Sequence, residues 1–288
     1  MNRIKEFILI SVFIFLFFCA SICAQQKIKL WDDALTNKQK WSELTVFLPE
    51  KPDTSGISVI ICPGGSYYWL DMNNEGYSVA KYLNNNGITA FVLRYRTARR
   101  GNHHPAMIQD LQRSLQVVKE NAIIYKINPE KIGVMGFSAG GHLAGMAAEY
   151  FDTNFIGRDE ESSTLIKPYF AAMIYPVISM EDSICHKKSR KNLLGENYSR
   201  EMAKMMSLEL NVRPDMPQMF FLHCTNDKTV DYRNSLVFSQ ALTKNDVPYK
   251  FLLLNENGHG FGIKQNGKAT GWINEFIKWI STVNSKSK

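Results

Sequence analysis

Short apolar runs rich in Val, Ile and Phe recur along the chain at Ile57–Cys62, Ile88–Leu93, Ile132–Phe137, Tyr169–Tyr175, Met219–Cys224 and Tyr249–Leu254. Runs of this length without alternation predict strands buried on both faces of a mainly parallel sheet. Between several of them the apolar period changes. Met107, Ile108, Leu111, Leu115, Val118 and Ala122 fall on one face of a helix that follows Pro105, and Gly141–Tyr150 has a second helical pattern. Alternating strands and helices imply crossover units, hence an α/β class with helices on both faces of a central sheet. Leu44, Val46 and Leu48 share one face, Thr45 and Phe47 the other, and the run stops at Pro49, which predicts an antiparallel strand ahead of the parallel set.

The stretch from Met180 to Pro217 breaks this alternation with charged and Met-rich segments and is expected to be a cap-like insertion over the strand ends. Two readings of it stay open: a segment that shapes a substrate pocket, or a surface helix packed on the core through Met202, Met205 and Met206.

At the N-terminus, Arg3 and Lys5 precede an apolar run from Phe7 to Ala20 and small residues near Ala24, the layout of a secretory signal peptide over residues 1–24. The run is shorter than a spanning helix needs, with an uncleaved anchor as the alternative, and no later segment is long and apolar enough to span. Cys19 and Cys23 lie at its end, but the residues before each fit a lipid-attachment signal poorly. A secreted or periplasmic protein is therefore expected, with residues 25–288 forming one domain. That portion holds Cys62, Cys185 and Cys224. An odd number without metal-ligand spacing predicts free thiols, with one bridge as the alternative, and no bound metal. The formal charge of +7 is scattered except at Lys187, Lys188, Arg190 and Lys191. That cluster lacks interleaved aromatics, so a solvated loop is expected there and no nucleic-acid partner.

The chemistry enters at Gly136-Phe137-Ser138-Ala139-Gly140. This G-x-S-x-G pattern follows a strand and opens a helix, the context that makes it a nucleophile elbow. A serine hydroxyl is a poor nucleophile at neutral pH, so Ser138 needs a base and a group to orient it. After such an elbow the acid comes next in the chain and the histidine last. His259, in Asn257-Gly258-His259-Gly260-Phe261, lies on a glycine-flanked loop after a strand, whereas His223 lies within an apolar strand and reads as a core residue. His142, one turn beyond Ser138, is expected to pack locally, and His103 and His104 to cap a helix or line the cleft. Asp227, just past Met219–Cys224, is the expected acid. Its rival Asp231 lies at the mouth of the next helix, where capping explains it.

Upstream, Cys62-Pro63-Gly64-Gly65-Ser66-Tyr67 ends a strand with amides free to face a ligand. The amide of Gly65 or Ser66, together with that of Ala139, is the expected oxyanion hole, each donor contributing on the order of 3 kcal/mol. Tyr67, Tyr68 and Trp69 beside it suit either sugar stacking or packing. A triad and a hole supply nucleophile, base and electrostatic stabilisation, so no cofactor is expected.

These residues resemble the α/β-hydrolase superfamily, and within it the carbohydrate-esterase-like group of acetyl xylan esterases and xylanase-associated esterases. The resemblance covers Leu44 to Trp279. It rests on Cys62–Tyr67 followed by Glu75-Gly76, on Tyr95-Arg96, on His104-Pro105, on Gly136–His142, on Asp227-Lys228-Thr229-Val230 and on Gly258–Phe261. It implies an α/β-hydrolase fold, the triad Ser138, Asp227 and His259, and a serine esterase releasing acetyl or other short acyl groups from plant polysaccharide. Relatives often carry a third glycine where this chain has Ser66. The alternatives are a general short-chain carboxylesterase, a serine peptidase of the same superfamily, for which this length leaves no room for the usual N-terminal propeller, and a sugar binder, which needs no complete triad.

Overall fold

The computed structural model describes residues 26–31, 41–157, 166–265, 268–269 and 271–285; the expected signal segment lies outside them. Eight strands form one sheet: β1 (Lys27–Lys29), β2 (Glu43–Phe47), β3 (Ser58–Cys62), β4 (Thr89–Arg94), β5 (Ile132–Phe137), β6 (Phe170–Ile174), β7 (Gln218–Cys224) and β8 (Tyr249–Leu254). Their spatial order is β1-β2-β4-β3-β5-β6-β7-β8. From β4 to β8 every pairing is parallel, while β2 runs antiparallel to both β4 and β1.

Each central strand feeds both faces, which is why its sequence is continuously apolar. In β3, Ile60 and Cys62 join one core while Val59 and Ile61 join the other; in β7, Met219 and Phe221 oppose Phe220 and Leu222. One face is covered by α1 (Ser78–Asn85) and the C-terminal helix α7 (Trp272–Ser285), through Val79, Leu83, Trp272 and Phe276. The other is covered by α2 (Ala106–Glu120), α3 (Ala139–Glu149) and α6 (Arg233–Lys244), through Leu111, Leu115, Leu143, Phe238 and Leu242. Helix α3 is buried at all eleven positions, because residues 180–217 close over its outer side. That segment holds α4 (Lys187–Leu194), α5 (Arg200–Met205) and a 3₁₀ turn at Leu208–Leu210.

Three expectations change. Strand β8 is half-exposed, with Tyr249 at 38% and Leu253 at 45%, because it is the last strand of the sheet among the described residues; an apolar run alone does not distinguish an edge strand from a central one. The basic cluster Lys187–Lys191 belongs to a helix instead of a loop, with Arg190 2.6 Å from Asp182 and Lys191 2.7 Å from Glu196. Met206 is fully buried and Met202 packs against the core, whereas Met205 is exposed. Cys62, Cys185 and Cys224 are unbridged.

Candidate active site

The site is built at the C-terminal ends of β3, β5, β7 and β8, where successive loops converge. Ser138 follows β5 with φ 53° and ψ −118°. A non-glycine residue there stores on the order of 1–3 kcal/mol, and its surroundings enforce it. Ser138 N donates to Ile174 O at 2.9 Å, and Ser138 O accepts from Val177 N at 3.1 Å. The turn is so tight that a Cβ at Gly136 would lie 1.9 Å from Gly140 O, and one at Gly140 would lie 2.1 Å from Cys62 O. Glycine at both positions follows from backbone meeting backbone.

His259 Nε2 stands 2.9 Å from Ser138 Oγ, and His259 Nδ1 stands 2.7 Å from Asp227 Oδ2. Ser138 and Asp227 are buried, and the His259 side chain is 14% exposed. The structure thus brings together the three side chains singled out as nucleophile, base and acid. Asp227 is fixed in turn: its Oδ1 accepts from Thr229 N at 2.8 Å and Val230 N at 3.0 Å, and His223 Nε2 lies 3.2 Å from Oδ2. Burial alone raises the Asp227 pKa, but the hydrogen bonds from His223 and His259, the His259 charge and the Val230 amide outweigh it and hold the carboxyl well below the usual range.

The rival residues are occupied elsewhere. Asp231 accepts from Arg233 N at 2.9 Å and Arg233 Nε at 2.8 Å. His223 bonds Ser235 Oγ at 2.8 Å and Val230 O at 3.0 Å, so it is a buried brace beneath Asp227 and not a base. His142 bonds Tyr67 OH at 2.8 Å and Met206 O at 2.7 Å, and burial lowers its pKa to about 4.

In the loop after β3, Gly64 N donates to Glu75 Oε2 at 2.8 Å. Among the described residues the amides of Gly65, Ser66 and Ala139 donate to no protein acceptor. Ala139 opens α3, so the positive end of a helix dipole backs its amide. Gly65 has φ 135°, and a Cβ there would lie 2.1 Å from Trp69 O. Ser66 and Tyr67 also have positive φ, 56° and 59°. The position where relatives often carry glycine is therefore left-handed here as well, held by Asn192 Nδ2 on α4, which donates to Ser66 O at 2.8 Å. Tyr67 is fully buried, which makes it a packing residue, while Tyr68 and Trp69 are exposed.

Sequence reasoning gave no role to Glu75 or Tyr175. Glu75 accepts the Gly64 amide through one oxygen and Tyr175 OH, at 2.8 Å, through the other; Tyr175 OH accepts Gly262 N at 2.9 Å. The Tyr175 ring lies 4.7 Å from the His259 ring. One buried carboxylate thus ties the Gly64–Ser66 loop to the His259 loop. Burial pushes Glu75 up to about 7, opposed by the hydrogen bonds from Tyr175 and Gly64. Asn74 Nδ2 adds a second tie, donating to Gly260 O at 2.9 Å. The Glu75-Gly76 pair was visible as part of a motif, but partners at 64, 175 and 262 leave no local signal.

Against known proteins, the family model BD-FAE matches residues 44–242. The chain is 30% identical over 225 residues to an acetylxylan esterase of Xylanibacter ruminicola, covering 77% of this chain and 44% of that protein. It is 30% identical over 216 residues to endo-1,4-beta-xylanase B of Butyrivibrio fibrisolvens, covering 74% and 34%. It spans less than half the length of these two relatives. Among solved structures, an acetyl ester-xyloside bifunctional hydrolase from Caldicellulosiruptor lactoaceticus superposes with a TM-score of 0.79 at 30% identity, covering 92% of this chain and 98% of that one.

Proposed function

The chain belongs to the BD-FAE family of α/β-hydrolases, and from that premise we propose that it is a serine carboxylic ester hydrolase that removes acetyl groups from plant polysaccharide of the xylan type. The observation that carries this reading is the unbroken hydrogen-bonded line Ser138–His259–Asp227 beside three amides that donate to no acceptor among the described residues. The names of the similar proteins, an acetylxylan esterase and an acetyl ester-xyloside hydrolase, support the substrate class.

In the mechanism, Ser138 Oγ attacks the acyl carbon as its proton passes to His259 Nε2. Asp227, ionised, holds the Nδ1 proton and stabilises the imidazolium. The carbonyl oxygen becomes an oxyanion held by Ala139 N with Gly65 N or Ser66 N. Collapse of the tetrahedral intermediate breaks the bond to the sugar oxygen, which leaves with the proton from His259. Water, deprotonated by His259, then attacks the acyl-enzyme; acetate departs and Ser138 regains its proton.

Export by the segment 1–24 is part of this proposal, supported by its charged start and apolar run, and it would place the enzyme where polysaccharide is found. The test is hydrolysis of nitrophenyl acetate, butyrate and octanoate beside acetate release from acetylated xylan. Activity confined to the shortest acyl group, with acetate released from xylan, is expected. Rates that rise with chain length without release from xylan would identify a general esterase instead. Ser138→Ala abolishes turnover while the protein stays folded; retained turnover removes Ser138 from the nucleophile's role.

A further inference from the structure

A cleft of about 530 Å³ opens beside the Gly65–Ser66 turn. Four large aromatic side chains line it: Tyr95, which is buried, and Trp41, Tyr68 and Trp69, each between 43% and 49% exposed. Arg94, Arg96, Arg99 and Arg100 also line it, and none of its described lining residues is a carboxylate. The cleft is coupled to the candidate oxyanion hole through the backbone. Tyr68 N and Trp69 N both donate to Gly65 O, at 3.0 and 3.1 Å, and Ala98 N, from the turn that bears Arg99 and Arg100, donates to Tyr67 O at 2.9 Å.

The arginines of this region divide by what they already do. Arg96 is buried and spent on Asp110, with Nη2 2.8 Å from Oδ1. Arg94 lies 3.2 Å from Glu43. Arg99 and Arg100 are exposed and have no acidic partner among the described residues. The Arg100 guanidinium stacks 3.7 Å from the centre of the Trp41 ring, which holds its plane against one wall with its N–H edges available. Aromatic faces suit the apolar faces of a sugar ring, and a planar guanidinium suits a carboxylate, which it can bond through two N–H groups at once. A cleft for a neutral glycan needs the aromatics but not two arginines without an acidic partner among the described residues.

We propose that this cleft is a substrate subsite for an acidic sugar, a uronic acid borne on the polysaccharide near the acylated residue, with the aromatics taking the sugar rings and Arg99 and Arg100 the carboxylate. The inference builds on the esterase reading and adds the charge class of the substrate. It also predicts a preference for acetyl groups close to uronate branches.

The test separates binding from turnover. The Ser138→Ala protein is titrated calorimetrically with a glucuronic-acid-bearing xylotetraose and with the same oligosaccharide after its carboxylate has been reduced to the alcohol. The acid is expected to bind roughly ten- to a hundred-fold more tightly, the worth of charge-assisted hydrogen bonds, and added salt narrows the gap. Adding Arg99→Gln and Arg100→Gln removes most of the difference, and Arg99→Gln alone removes part of it. Equal binding of the two oligosaccharides, or a preference that survives both substitutions, overturns the proposal. Because no turnover is measured, absence of nitrophenyl acetate hydrolysis by the unsubstituted enzyme overturns the esterase reading alone.

Discussion

At the scale of single residues, two carboxylates of opposite character organise the site. Asp227 is held ionised by imidazole and amide donors on each side, and in the proposed mechanism its role is to keep His259 in one tautomer and orientation. Asp227→Asn leaves the packing in place and removes that control, so kcat is expected to fall by about 10⁴-fold; a loss below about tenfold would show that another group orients His259. Glu75, by contrast, is pushed up to about 7 by burial. A carboxyl whose folded pKa is raised contributes stability that is fully present below its unfolded pKa and lost as pH rises through the folded one. The wild-type Tm is therefore expected to drop as pH rises from about 4.5 to about 7, relative to Glu75→Gln, which has no proton to lose. Parallel Tm curves for the two proteins over that interval would show that Glu75 keeps an ordinary pKa. Glu75→Ala unties both loops at once, and a displacement of about 1 Å can cost on the order of 100-fold in rate. The expected loss therefore lies in kcat more than in KM.

At the scale of elements, what a short window of sequence can carry was legible. The parallel strands were visible because burial on both faces removes alternation, and the elbow because Gly136 and Gly140 answer to backbone contacts within a few residues and from β3. Strand β1 was not visible, since three residues have no period, and the edge position of β8 depends on what lies beside it rather than on its own composition. Glu75, Tyr175 and Asn192 act on loops far away in the chain, so their roles become visible only in the fold. Helix α3 shows a further non-local effect. Its last residue, Glu149, is fully buried with neither carboxylate oxygen paired among the described residues. Burial, then the charge of Glu209, pushes its pKa well above the usual range. A negative charge at a helix C-terminus is also opposed by the dipole. Glu149→Met is expected to raise Tm by a few degrees, since about 1 kcal/mol moves a chain of this size by roughly 2–4 °C. As pH falls the wild-type carboxyl protonates and the advantage shrinks. A lower Tm for the variant at pH 8 would assign Glu149 a stabilising partner.

At the scale of the whole molecule, the segment between β6 and β7 joins the outer layer to the chemistry. It is anchored below by Asn234, whose Oδ1 accepts from Ile178 N and Ser179 N at 2.9 Å and whose Nδ2 donates to Ile184 O at 2.9 Å. Above, α4 ends against the loop after β3 and the start of α2: Asn192 Nδ2 holds Ser66 O, and Leu193 O accepts His104 N at 2.6 Å. Ser66 has a left-handed conformation that costs a non-glycine residue on the order of 1–2 kcal/mol, so its geometry depends on such restraints. Asn192→Ala removes one hydrogen bond, worth about 0.5–1.5 kcal/mol, from a residue whose amide is a candidate oxyanion donor. If the segment belongs to the catalytic unit, kcat for nitrophenyl acetate falls by up to about tenfold while Tm barely moves, because the packing of α4 through Leu193 is untouched. If it only covers α3, the same substitution leaves kcat unchanged. A rise in KM alone would place Asn192 on the path of the substrate instead of behind the hole.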